Sequence, residues 1–167
     1  MTRALVTGAT GFLGRHAARR LVQLGWEVSG LGRSSSAGKL LEQEGVRFIQ
    51  ADLRDAVAVA QACAGQDYVF HCGALSAPWG AYDEFYGSNV EGTRHIIAGC
   101  QRHAAERLIH ISTPSIYFDY NPRRLIRESE PLPLRPANTY AATKLLAEQE
   151  VLRACQRAGD RDLLTAG

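Results

Sequence analysis

No run of apolar residues in this chain is long enough to cross a membrane, and no leader-type segment opens it. A cytoplasmic location is the expectation. Cysteine is scarce: the 4 residues are Cys63, Cys72, Cys100 and Cys155, and no two stand in Cys-x-x-Cys spacing. They read as small buried apolar groups in a reducing compartment. His16, His71, His95, His103 and His110 are scattered, without a His-Glu-x-x-His pattern, so no metal is expected. An excess of one charge is also lacking. Lys and Arg number 19 against 17 Asp and Glu, for a net charge of +2. The lack of a basic stripe argues against a nucleic-acid partner. The clusters Arg15, Arg19, Arg20 and Arg123, Arg124, Arg127 read as solvated surface.

What the chain does have is glycine at one turn. Leu5-Val6-Thr7-Gly8-Ala9-Thr10-Gly11-Phe12-Leu13-Gly14 runs from a short buried strand straight into a helix. Gly8 can take a backbone angle that other residues avoid. Gly11 lets the main chain approach a ligand, and Gly14 lets the helix pack closely. The free N–H groups at the helix start favour an anion such as a pyrophosphate. The spacing is Gly-x-x-Gly-x-x-Gly, looser than the common Gly-x-Gly-x-x-Gly fingerprint.

Along the rest of the chain, strand and helix patterns alternate. Strands are expected at residues 3–6, 27–31, 46–50, 67–71 and 107–112, with the start of another at 162–166. Helices are expected at 12–24, 37–44, 56–64, 83–103 and 139–158, the first with Ala17, Leu21 and Leu24 on its buried face. Residues 113–136 read as a long, proline-punctuated loop. This rhythm predicts an α/β fold, a doubly wound parallel sheet in one domain spanning residues 1–167. Gly8, Arg33, Asp52, Ala74 and Thr113 each follow a different strand. They should meet along the carboxyl edge of the sheet, where such folds bind ligands.

Tyr140 and Lys144 stand one turn apart on the last helix. An ammonium there stabilises a tyrosinate, so the phenol can exchange a proton with a substrate hydroxyl. Ser112, which ends the fifth strand, or Thr113 or Ser115, which follow it, could orient the substrate oxygen, and the residues alone do not choose between them.

Five motifs now stand in register: Thr7-Gly-x-x-Gly-x-x-Gly14, Asp52-Leu53, Asn89-Val-Glu-Gly-Thr93, Ser112-Thr-Pro-Ser-Ile-Tyr117 and Tyr140-x-x-x-Lys144. In this order the chain resembles the extended short-chain dehydrogenases/reductases, the epimerase/dehydratase superfamily. His71-Cys-Gly-Ala74 and Trp79-Gly80 look most like its 3β-hydroxysteroid dehydrogenase branch, which includes reductases of long-chain 2-alkyl-3-oxo acids.

The resemblance implies a Rossmann-type sheet and an NAD(P)-dependent dehydrogenase or reductase acting on a secondary alcohol or ketone. Tyr140 is then the acid/base, Lys144 its helper and a ribose contact, and Thr113 the catalytic hydroxyl. Cofactor contacts fall on Gly8, Thr10, Gly11, Phe12, Leu13, Gly14, Arg33, Asp52, Leu53 and Ala74, besides Tyr140 and Lys144, and Asn89 braces the neighbouring helix. Gly32-Arg33 replaces the acid that NAD-specific members carry after the second strand, which favours NADP over NAD. The alternatives are a nucleotide-sugar epimerase or dehydratase and a non-catalytic dinucleotide-binding module. The C-terminal substrate region of the family is expected to be absent, leaving strand five as an exposed edge. A homodimer is expected through the helices at 83–103 and 139–158, using Leu145, Leu146, Val151 and Leu152.

Overall fold

A computed structural model describes residues 1–157 and the strand Leu163–Ala166. Six parallel strands form one sheet in the order β3-β2-β1-β4-β5-β6. They are β1 (Arg3–Thr7), β2 (Glu27–Gly32), β3 (Val46–Gln50), β4 (Tyr68–His71), β5 (Arg107–Ile111) and β6 (Leu163–Ala166). Because side chains alternate along a strand, Ala4 and Val6 face one core and Leu5 the other. All three are fully buried, as expected of a central parallel strand covered on both sides.

The helices that provide that cover are α1 (Phe12–Gln23), α2 (Ser35–Gln43), α3 (Ala56–Cys63), α4 (Tyr82–Phe85), α5 (Gly92–Arg102) and α6 (Thr139–Arg157). On one side, Ala18 and Leu21 of α1 and Leu41 of α2 pack with Val28 and Val46. On the other, Val59 and Cys63 of α3, Ile96 and Cys100 of α5 and Val151 of α6 pack with Leu5, Val69 and Leu108. The strand order turns back between β1 and β4, and there the sheet opens a crevice at its carboxyl edge.

Several expectations are corrected. The buried face of α1 is Gly14, Ala18 and Leu21, while Leu24 is half exposed, because the helix has already ended and Gly25 turns away at φ +80°. Helix α2 begins at Ser35, since the Ser34 hydroxyl caps it by accepting from Ala37 N–H. Arg15 and Arg19 are not merely solvated; both grip Glu44 at 2.5 Å, tying α1 to the turn after α2. The expected long loop contains a 3₁₀ turn at Pro114–Tyr117, begun by proline at its first position. Strand five is not an edge, because β6 pairs along it. Val151 lies in the core, leaving Leu152 exposed on the face named for a dimer.

Between α4 and α5 the chain widens into a π turn at Tyr86–Glu91. The wider turn brings Ser88, Asn89 and Val90 into buried positions together, and such turns recur at functional sites.

Gly8 is constrained twice over. Its φ is +64°, and a Cβ on it would stand 2.7 Å from the Gly73 Cα. Gly8→Ala therefore incurs both a left-handed backbone penalty and a main-chain overlap. The expected loss is about 2–4 kcal/mol in a urea titration; a loss below about 0.5 kcal/mol would contradict this packing.

Candidate functional site

The crevice is a cleft of about 220 Å³ floored by Gly8, Thr10, Gly11 and Gly73 and walled by Gly32, Arg33, Asp52, Leu53, Ala74 and Leu75. At its base the first helical bond of α1 runs from Arg15 N–H to the Gly11 carbonyl. The N–H groups of Phe12, Leu13 and Gly14 come before it and have no intrahelical acceptor. Gly11 offers no side-chain cap, and no acid stands in the first turn. A helix start of this kind favours an anion. Gly14 is held to glycine by contact, since a Cβ there would lie 2.3 Å from the Gly8 oxygen.

At one wall, Asp52 accepts from the Arg54 main chain at 2.9 Å and from its guanidinium at 3.0 and 2.8 Å. That grip holds the Asp52 carboxyl down at about 2, so the wall carries a fixed charge pair. His95 reaches back to the Leu53 carbonyl at 2.8 Å and fixes the adjoining turn.

From the cleft floor a row of buried hydrogen bonds leads under the sheet edge. Gly73 N–H donates to Thr7 Oγ1 at 3.0 Å, and Thr7 Oγ1 lies 2.7 Å from His71 Nδ1. His71 Nε2 lies 3.0 Å from Thr93 Oγ1, and the Thr93 hydroxyl donates to the Asn89 carbonyl at 2.6 Å. The Asn89 side chain holds both Leu75 N–H and Leu75 C=O, at 2.7 and 3.1 Å, and donates to Thr143 Oγ1 at 3.0 Å. Thr143 sits in α6, between Tyr140 and Lys144.

Lys144 is buried, and its Nζ donates to the Ile111 carbonyl at 2.6 Å, at the end of β5. Burial pushes its ammonium down to about 8, against the upward pull of Glu148 and Cys72. Burial also keeps His71 well below its ordinary range and takes His110 down to about 3, with Lys144 adding to both. Tyr140 is partly buried one turn before Lys144.

The three candidate hydroxyls now differ. Ser112 Oγ donates to the Glu148 carboxylate and is committed there. Thr113 accepts from Ser115 N–H at 3.3 Å and its hydroxyl lies 3.1 Å from Ser115 Oγ, so these two act as a pair. Thr113 lines a second cavity of about 500 Å³ with Tyr117, Arg127 and Glu148.

The expected site residues are thus brought to one edge but divided. Gly8, Thr10, Gly11, Arg33, Asp52, Leu53 and Ala74 line the cleft; Gly14 lies beneath it. Phe12 and Leu13 are not in its lining, and their side chains are exposed. Lys144 stands at the end of β5, and Thr113 faces the second cavity. Sequence reasoning missed Thr7, His71, Thr93 and Thr143. The signal available for three of them was that Thr7, His71 and Thr93 fall inside quoted motifs. Among the described residues no three His, Cys, Asp or Glu side chains gather as a metal set, and no helix is long and apolar enough to cross a membrane.

The buried lysine gives a pH prediction. Lys144 holds its proton less tightly when folded, so between about pH 8 and the ordinary value of 10.5 the unfolded chain binds more protons and stability rises with pH. Lys144→Met removes the buried charge but leaves the Ile111 carbonyl without its donor. It should be the more stable protein by roughly 2 kcal/mol at pH 7, with the difference closing toward pH 10.5. A difference in urea midpoints that does not change with pH would contradict this.

Comparison with known proteins agrees with this geometry. Residues 4–164 match the NAD dependent epimerase/dehydratase family. A 2-alkyl-3-oxoalkanoate reductase of Stenotrophomonas maltophilia is 42% identical over 91% of this chain and 46% of its own length. The sterol-4-alpha-carboxylate 3-dehydrogenase (decarboxylating) of Homo sapiens is 30% identical over 91% of this chain and 40% of its own. The structure of MoeE5 in complex with UDP-glucose and NAD superposes with a TM-score of 0.82 at 28% identity, over 99% of this chain and 52% of that one. This chain therefore spans about half the length of the relatives it matches. Glycine turn, strand order and sequence match all lead to one conclusion: the chain belongs to the NAD dependent epimerase/dehydratase family.

Proposed function

We propose that this chain is the cofactor-binding and proton-transfer part of an NAD(P)-dependent oxidoreductase acting on a secondary alcohol or ketone. The observation that supports this best is one edge carrying both an uncapped helix start above Gly8 and a buried lysine beside Tyr140. A nicotinamide dinucleotide bound there supplies or accepts the hydride. The chain's own residues do the rest. Phe12, Leu13 and Gly14 N–H groups hold the pyrophosphate, and Asp52 and Leu53 flank the adenine. Tyr140 moves the proton to or from the substrate oxygen, and the Lys144 ammonium stabilises its phenolate. Thr113, paired with Ser115, orients that oxygen.

Within this reading the cofactor is NADP. A Cβ at Gly32 would stand 2.8 Å from the Thr10 side chain, so Thr10 fills the space an acid would need. Arg33 lines the cleft beside that point and offers a cation to a 2′-phosphate. The substrate is a long-chain or steroid-like 3-oxo compound, in keeping with the named reductase and sterol relatives. A sugar-nucleotide substrate is the second reading, favoured by the likeness to MoeE5 with UDP-glucose. A non-catalytic dinucleotide-binding module is the third. Any dimer forms across α5 and α6, where Leu152 is exposed.

In the full-length protein, oxidation of NADPH by 2-alkyl-3-oxo acids, set beside epimerisation of UDP-glucose in the presence of NAD, separates these readings. Turnover is expected only with the 3-oxo acids, and Tyr140→Phe should lower it by about 10²–10⁴-fold. Full activity of that variant, or turnover of UDP-glucose alone, would overturn the reading. Arg33→Ala should weaken NADPH binding by about tenfold or more and leave NADH unchanged; equal losses for both would return the choice to NAD.

A further inference from the structure

The proton count along the buried row has one solution. The Thr93 hydroxyl has a single proton and donates it to the Asn89 carbonyl, so Thr93 Oγ1 can only accept from His71 Nε2–H. His71 is fully enclosed beside His110 and near Lys144, which keeps the imidazole neutral, so Nδ1 carries a bare lone pair. That lone pair must accept the Thr7 hydroxyl proton, and Thr7 Oγ1 in turn accepts Gly73 N–H. Every donor and acceptor between the cleft floor and Asn89 is then used in one direction. Asn89 extends the row to Leu75 on the cleft wall and to Thr143 on α6.

We propose that His71, held as the neutral Nε2–H tautomer between Thr7 and Thr93, is a positioning residue. It fixes the spacing between the cleft floor at Gly8 and Gly73 and the helix that carries Tyr140 and Lys144. The mechanism does not need its proton; it needs an imidazole, because that ring accepts on one side and donates on the other across a fixed rigid span. The route to the site runs through other residues. Thr7 pins Gly73 against Gly8, where the two main chains meet without room for a Cβ. Thr93 pins the π turn, which aims Asn89 at Leu75 and Thr143. An error at His71 would therefore appear at both ends at once, about the cofactor and about the proton-transfer helix. The His71 and Thr93 assignment goes beyond the proposed dinucleotide reading and rests on it.

The test has three readouts on the full chain. The imidazole nitrogen spectrum of the unaltered protein should show His71 with Nε2 protonated and Nδ1 bare, unchanged from pH 5.5 to 8. A protonated Nδ1, or titration in that range, overturns the proposal, and this readout needs no variant to fold. Thr93→Val keeps the shape and removes the hydroxyl. It should speed amide exchange at both Gly73 and Leu75 and weaken NADPH binding by about tenfold, and Thr93→Ser should restore both. Exchange unchanged at Gly73 and Leu75 in Thr93→Val overturns the proposal. If the unaltered chain binds neither NADPH nor NADH, the dinucleotide reading fails, while tautomer and exchange still decide the role of His71.

Discussion

Two main chains meet at the cleft floor with no side chain between them, and the rest of the site depends on that contact. Gly8 turns at φ +64° and closes on Gly73, the residue two past the end of β4. Gly14 packs directly against the Gly8 carbonyl. Once these three glycines touch, α1 starts beside the sheet edge with its first N–H groups free. Any added carbon there moves the helix start and, with it, the place where an anion would lie.

The opposite side of the edge is governed by the cost of burying charge. Lys144 lies in the interior with its ammonium on the Ile111 carbonyl, and burial draws its proton affinity down. The two histidines nearby answer by staying neutral. Their difference is instructive. His71 uses both ring nitrogens, whereas His110, facing it across the β4–β5 pair, has no hydrogen-bond partner for either nitrogen among the described residues. The polar row is thus confined to the β4 side, between cleft and helix. Asp52 shows the same economy at the surface: Arg54 takes both of its oxygens and keeps it ionised.

Much of this could be read from the chain because it is written in local chemistry. Gly8, Gly25 and Gly45 all sit at positive φ where helix and strand patterns break. Strand β3 falls on Val46–Gln50 as the pattern indicates, and the alternation of elements predicts the parallel sheet. What was not legible depends on partners distant in sequence. Arg15 and Arg19 read as solvated until Glu44, more than 20 residues away, folds against them. Ser112, Thr113 and Ser115 look alike until Glu148 takes Ser112 and the 3₁₀ turn pairs the other two. The π turn at Tyr86–Glu91 has no periodic signature, and without it His71 and Thr93 are only two buried polar residues in separate motifs.

The proposed place of the dinucleotide is the Gly8–Gly14 turn at the carboxyl edge. Amide NMR of the isotope-labelled chain, titrated with NADPH, tests it most directly. Saturable shifts are expected at Gly11 to Gly14, Arg33, Asp52, Leu53 and Gly73 to Leu75, with the amides around Gly45 and Gly65 at the opposite edge unmoved. No shift at the glycine turn, or shifts gathered at the opposite edge, would contradict it.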